Sequence, residues 1–172
     1  MIQSAVDGYN VCMFAYGQTG SGKTFTMIGD RSQQYPGIAP RAFQRIFQLA
    51  EENKSKFEMK VSTYMLELYN ERLIDLFAKS GSEEDRLDIK KDKKGMVVIQ
   101  GSVLKKASNA KELFALFEEG SKNRHVASTK MNDESSRSHL VIGIVLESTN
   151  KVTGQIITGK VGFINIYLDD IF

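Results

Sequence analysis

The sequence predicts an α/β fold in which helices are layered on a mostly parallel sheet. Short apolar runs of strand type alternate with amphipathic stretches at helical spacing, and a glycine-rich turn follows directly on the first strand-like run. Residues 1–172 read as one continuous domain. That length suits a single unit of ~100–200 residues, and only Pro36 and Pro40, with no repeat or low-complexity tract, interrupt it.

Residues 11–16 (VCMFAY) form a short apolar run ended by glycine, which suits a strand buried on both faces of the sheet. Residues 38–52 place Phe43, Ile46, Phe47 and Ala50 on one side at helical spacing, with Arg41, Gln44, Arg45 and Gln48 opposite. That is an amphipathic helix lying on a sheet. From Phe57 the period changes to two: Phe57, Met59, Val61, Thr63 and Met65 share one face, Glu58, Lys60 and Ser62 the other. Asn109 is suited to cap a second helix, because Glu112 stands three residues on and Leu113, Leu116 and Phe117 supply an apolar stripe. Residues 140–146 are apolar on both faces, and a last strand of the same kind runs from Gln155 to about Ile166.

Composition excludes several classes of function. The chain is 41% hydrophobic and 26% charged, with a formal net charge of +2, so no basic excess argues for nucleic acid or an anionic membrane. No apolar run approaches the ~20 residues of a membrane span, and the opening MIQSAVDGYN lacks a secretory pattern. The one cysteine, Cys12, sits in an apolar run and reads as a core residue. A reducing, intracellular setting is the expectation.

Residues 17–24 read GQTGSGKT, which fits Gly, four residues, Gly-Lys-Thr, at the handover from strand to helix. Backbone N–H groups can converge on phosphate oxygens only where side chains stay away, which is what Gly17, Gly20 and Gly22 provide. Gln18, Thr19 and Ser21 complete the loop. Lys23 is suited to the β and γ phosphates, and the Thr24 hydroxyl to Mg²⁺. The expected fold is therefore a three-layer P-loop NTPase. A base-reading Asn-Lys-x-Asp of GTPases is lacking, since residues 150–153 read Asn-Lys-Val-Thr. The glycine spacing is not that of dinucleotide folds, and neither histidine has metal-ligand neighbours. ATP is the favoured nucleotide.

A second polar cluster, NDESSRSH at residues 132–139, precedes an apolar strand. Alone it reads as a polar turn. Beside the first motif it reads as a loop sensing the γ-phosphate, with serines for Mg²⁺ or the attacking water and an arginine for a carboxylate.

Together these segments resemble the kinesin motor domain. GYNVCMFAYGQTGSGKTFTM is similar to that family's phosphate loop with its leading strand, YMLELYNERLIDLF to the strand and turn that follow, and NRHVASTKMNDESSRSHL to its third helix running into switch I. The opening IQSAVDGYN and the segment KKDKKGM most resemble the C-terminal-motor class, particularly plant calmodulin-binding kinesins. The resemblance implies ATP and Mg²⁺ as ligands, microtubules (tubulin) as partner, and a cytoplasmic, cytoskeletal location. Calmodulin enters only through regions outside these residues. It makes residues 17–24 the phosphate cradle, Ser136 a Mg²⁺ ligand, Ser135 a holder of the attacking water, and Arg137 one half of a switch I to switch II ion pair. Arg124 ties the third helix to the switches. Lys90, Lys91, Lys93 and Lys94 fall where the family has a tubulin-touching hairpin; a merely solvated hairpin tip explains them equally well.

Residues 165–172 diverge from the family pattern, which continues like FVDLAGSER. Asn165 replaces the aspartate that reaches Mg²⁺ through water, Leu168 replaces a glycine that meets the γ-phosphate, and Asp170 stands in the glutamate position that faces Arg137. A partial motor domain, the truncated or mispredicted product of a kinesin gene lacking strands before Met1 and the switch II helix, with non-homologous sequence from about Asn165 onward, is the expectation. Two functions stay open: an ATP-hydrolysing motor segment, and a fragment that binds nucleotide or microtubules without turnover. An unrelated phosphate-loop ATPase would have to explain NDESSRSH by chance.

Overall fold

The computed structural model describes residues 1–18, 20–30, 34–78, 87–91, 97–129 and 138–167, with backbone alone at 125–129 and 167. A short helix α1 (Ile2–Val6) leads into strand β1 (Asn10–Gly17), followed by α2 (Lys23–Ile28) and the long amphipathic α3 (Ile38–Glu52). Strands β2 (Phe57–Tyr69) and β3 (Arg72–Asp75) form a hairpin. Then come β4 (Asp88–Lys91), β5 (Val97–Gln100), β6 (Lys105–Ala107), helix α4 (Ala110–Thr129), and the long strands β7 (Ser138–Asn150) and β8 (Ile156–Tyr167).

The main sheet has the order β1-β8-β7-β2-β3, with β6 also paired to β2. It is mixed rather than mostly parallel. β1 runs parallel to β8, whereas β7–β8, β2–β7, β2–β3 and β2–β6 are antiparallel. The antiparallel pairs follow from short connections: the turn at residues 151–155 joins β7 to β8, and Asn70 and Glu71, both at positive φ, join β2 to β3.

The core lies between one face of this sheet and the helices. Met13, Phe163, Ile142 and Met65 stand in one row across four strands, and Val11, Val161, Ile144 and Thr63 in another. Against them α3 turns Ala39, Ala42, Phe43, Ile46 and Leu49, all buried, while Arg41, Gln44, Arg45 and Gln48 are exposed. The Phe43 ring meets Phe163 edge-on at 6.2 Å and Phe117 of α4 at 6.4 Å, so it joins sheet and both long helices. α4 starts as its sequence dictates. The Asn109 side chain accepts from the Glu112 N–H, and Glu112 accepts in return from the Ser108 N–H. α4 then approaches β2 so closely that a Cβ at Gly120 would meet Met65 Sδ at 2.2 Å.

The opposite face corrects two expectations. Among the described residues β1 stands at the edge of the sheet, and the residues that alternate with its core positions are exposed: Cys12, Phe14 (55%) and Tyr16 (73%). Cys12 is therefore not a core residue, and β1 is not buried on both faces. Apolar composition fits either arrangement, because a run with no polar phase does not reveal how many of its faces are covered. On this second face Cys12 pairs with Gly162, and Gly162 with Gly143. A Cβ at Gly162 would lie 3.3 Å from Cys12 Sγ, and one at Gly143 would strike the Tyr64 ring. Partial burial there raises the Cys12 thiol above its ordinary pKa.

Gly159 shows how tightly α1 is seated. A Cβ there would stand 1.9 Å from the Ala5 carbonyl oxygen and 3.0 Å from that of Tyr9, both backbone atoms that cannot swing aside. Gly159→Ala is expected to cost about 2 kcal/mol through overpacking. For a chain of this size that is a fall of roughly 4–8 °C in melting temperature, read by circular dichroism; an unchanged Tm would show that α1 is not held against β8.

Candidate functional site

The glycine loop occupies the connection between β1 and α2, at the end of β1 where Gly17 pairs with Tyr167 of β8. Gly20 and Gly22 adopt φ of 82° and 86°, a left-handed conformation that side-chain-bearing residues avoid. A Cβ at either position would meet no atom within 4 Å, so the loop surface around them is open for close approach to backbone. Gly17, at φ 150°, is needed for a different reason: a Cβ there would collide with Ser21 Oγ at 2.6 Å. Thr19 lies outside the described residues.

Lys23 opens α2 and is 6% exposed. Its Nζ donates to the carbonyl oxygens of Gly17 and Gln18, each at 2.7 Å, so the ammonium sits inside the loop that carries it. Burying a cation is tolerated only where oxygens replace its water. Thr24 is exposed. As the first residues of the helix, Lys23 and Thr24 have backbone N–H groups with no helical partner a turn earlier. The arrangement presents a buried positive charge, glycine backbone and a hydroxyl to one small region, which is the donor set a phosphate chain requires.

Ser135, Ser136 and Arg137 fall in residues 130–137, outside the described residues, but the chain on both sides of that segment is tied down. Arg124 of α4 donates from Nε to Glu67 Oε1 at 3.0 Å, and from Nη2 to Ser138 Oγ at 2.9 Å and to the Ser138 carbonyl at 3.3 Å. The Ser138 hydroxyl donates to Glu67 Oε1 in turn. Glu67 and Ser138 are 5% and 3% exposed. Arg124 thus binds the start of β7, reached after the switch-like segment. Sequence reasoning did not single out Glu67 or give Ser138 a role. The signal was present: the inward phase Phe57, Met59, Val61, Thr63, Met65 continues onto Glu67, and a carboxylate on a buried face needs a cation.

Lys90 and Lys91 lie exposed on β4, within the small β4–β5 hairpin; Lys93 and Lys94 lie outside the described residues, as do Leu168 and Asp170. Lys90 Nζ donates to Gln100 Oε1 at 2.7 Å and stands 3.3 Å from Asp88 Oδ2. The hairpin is attached to the body by Lys160, which donates to the Val97 carbonyl at 2.6 Å.

Removing one member of a buried ion pair leaves the other uncompensated, at a cost of about 3 kcal/mol. Arg124→Ala should therefore destabilise the chain by that order in urea unfolding, and Glu67→Gln, which keeps a hydrogen-bonding oxygen, by less. Equal small effects would show that the pair is not buried in solution.

Comparison with known proteins agrees with this architecture. A family model described as the kinesin motor domain matches residues 1–167. The chain is 46% identical over 166 residues to kinesin-like protein KIN-14I of Oryza sativa subsp. japonica, and 45% identical to KIN-14E of Arabidopsis thaliana. Each alignment covers 96% of this chain and 13% of the relative. Kinesin-like protein klp-3 of Caenorhabditis elegans is 37% identical, with 27% of its length covered. Among solved structures, that of a fast kinesin superposes with a TM-score of 0.87 at 32% identity, over 96% of this chain and 47% of that one. The chain spans less than half of the solved motor and a small part of the plant kinesins, and with its match across residues 1–167 it belongs to the kinesin motor-domain family.

Proposed function

We propose that residues 1–172 are a partial motor domain, running from the phosphate loop to the start of switch II, that binds ATP with magnesium through residues 17–24. Within a longer motor this segment serves microtubule-dependent ATP hydrolysis and movement, which places it on the cytoskeleton. The observation that carries the nucleotide reading is Lys23, a buried ammonium held by the carbonyls of Gly17 and Gln18 beside two left-handed glycines. A phosphate chain offers Lys23 charged oxygens in place of neutral carbonyls, and charge-assisted hydrogen bonds are the stronger kind.

Magnesium is a hard cation that takes oxygen ligands and keeps several waters. The Thr24 hydroxyl is an exposed oxygen of the right type, and Asn165 contributes a buried side-chain oxygen with no hydrogen-bond partner among the described residues. These fit an ion that arrives on the nucleotide. When bound it neutralises charge on the phosphates. Ser136 is assigned to the same ion, Ser135 to orienting the attacking water, and Arg137 to anchoring the loop, all by family resemblance. Arg124 positions that loop by fixing residues 124 and 138 on Glu67. Lys90, Lys91, Lys93 and Lys94 are the proposed tubulin contacts, and calmodulin would bind only elsewhere in a longer protein.

A second reading, nucleotide binding without turnover, is favoured by one observation: β8 carries an amide at Asn165 where the family pattern has a carboxylate. Fluorescent-nucleotide titration tests the binding. Lys23→Ala is expected to weaken it roughly ten- to a hundred-fold, the loss of charge-assisted bonds. A microtubule-stimulated ATPase assay separates the two readings: stimulated turnover that disappears with Lys23→Ala supports the motor, and its absence in both proteins supports the binding fragment.

A further inference from the structure

Glu67 is a buried carboxylate on the helix-covered face of the sheet, and one of its oxygens serves two partners. Oε1 accepts from Arg124 Nε at 3.0 Å and from the Ser138 hydroxyl, and that hydroxyl accepts in turn from Arg124 Nη2 at 2.9 Å. Ser138 thus donates its one hydroxyl proton to Glu67 and offers a lone pair to Arg124. Side chains from β2, α4 and β7 close a triangle in which each member touches the other two.

A buried pair of this kind adds little net stability over apolar side chains of similar volume. Other contacts already seat α4: Leu113 and Phe117 are buried, Gly120 lies against Met65, and the Asn123 side chain donates to the Leu76 carbonyl at 2.6 Å. What the triangle adds is position. It pins Ser138, the first residue of β7, to the turn of α4 that follows Gly120.

The triangle stands at the phosphate-loop end of the sheet. Glu67 pairs with Leu140, Leu140 with Asn165, and Asn165 with Ala15, two residues before Gly17. Three strand spacings, roughly 14 Å, separate Glu67 from Ala15, so Glu67 acts on the loop's ligand only through the residues it holds. One of these, Ser138, belongs to the polar run NDESSRSH at residues 132–139, which reads as a sensor of the γ-phosphate.

We propose that Glu67 is a positioning residue of the nucleotide site: by holding Ser138 against Arg124, it sets how strongly the chain prefers a nucleoside triphosphate to the diphosphate. The inference rests on residues 17–24 binding nucleotide phosphate. A diphosphate is held by the glycine loop and Lys23, and its affinity is indifferent to the triangle. A contact to the third phosphate from the run that contains Ser138 gains strength when that residue is already fixed. Such coupling is reciprocal, so the triphosphate in turn holds Ser138 in place.

The test compares the dissociation constants of the full chain for N-methylanthraniloyl ADP and for the corresponding non-hydrolysable β,γ-imido triphosphate, both in excess magnesium. Ser138→Ala removes the hydroxyl and leaves the Arg124–Glu67 pair in place; Glu67→Asp keeps the charge but draws it back by one methylene. Each is expected to leave the ADP constant within about two-fold and to weaken the triphosphate about five-fold or more, the lower end of typical coupling between sites. A circular-dichroism melt establishes that each variant is folded. Equal weakening of both nucleotides marks a purely structural triangle and overturns the proposal, as does an unchanged ratio in a folded variant. Hydrogen exchange in the unaltered protein decides without any variant: the amides of residues 138–142 are expected to exchange more slowly with the triphosphate bound than with ADP, and identical exchange overturns the proposal. Failure of the unaltered protein to bind either nucleotide overturns the phosphate-loop reading and this proposal with it. Binding that Lys23→Ala removes, with a ratio indifferent to Glu67 and Ser138, overturns this proposal alone.

Discussion

The described helices depend on one constraint, the shared phase of the long strands. A strand shows alternate residues to opposite faces, so a slip of one residue between neighbours would exchange its buried and exposed sets. Here the registers keep Met13, Phe163, Ile142 and Met65 in line on one side, and Phe14, Ile164, Val141 and Leu66 in line on the other. Phe43 and Phe117 can then pack on a continuous apolar surface. The same phase carries the polar exceptions. Glu67 and Asn165 are inward residues, in the same sheet row as Ala15, so the phosphate loop and the buried charge of β2 belong to one end of one face.

That end is held by an ion pair as well as by apolar packing. Arg124 links a helix to two strands through Glu67 and Ser138, which lie far apart in the chain. An ion pair of this kind contributes little net stability compared with apolar packing, yet it is demanding in geometry, because an unpaired buried charge is penalised heavily. Its effect is to fix where residues 124 and 138 stand relative to each other. The polar segment between them carries the serines and the arginine on which the proposed chemistry depends. Rigidity is thus placed at its two ends.

The second sheet face has a different character. Exposed aromatic residues on β1 and the glycine pair Gly143 and Gly162 leave it smooth and partly apolar, with Tyr64 lying over Gly143 and the β4–β5 hairpin attached through Lys160. Exposed apolar surface beside a strand edge favours association with further chain or with other molecules. The helix-covered face and this one therefore differ in kind within a single sheet.

The local elements are legible in the order of residues. The period-two run from Phe57, the α3 stripe and the Asn109–Glu112 cap are all encoded by neighbours within a few residues, where sterics and hydrogen bonding act directly. That order also marks the phosphate loop, since left-handed glycines and a following lysine are a local requirement. Which described strands lie at the edge, that the sheet is mixed, that Cys12 is exposed, and that Glu67 is the partner of Arg124 emerge from the folded arrangement. Those facts depend on pairings between segments tens of residues apart, and an apolar run or a lone buried carboxylate does not name its partner. Asn165 stands between the two cases: its identity was legible as a departure from pattern, but its unpaired oxygen became visible only once β8 lay beside β1.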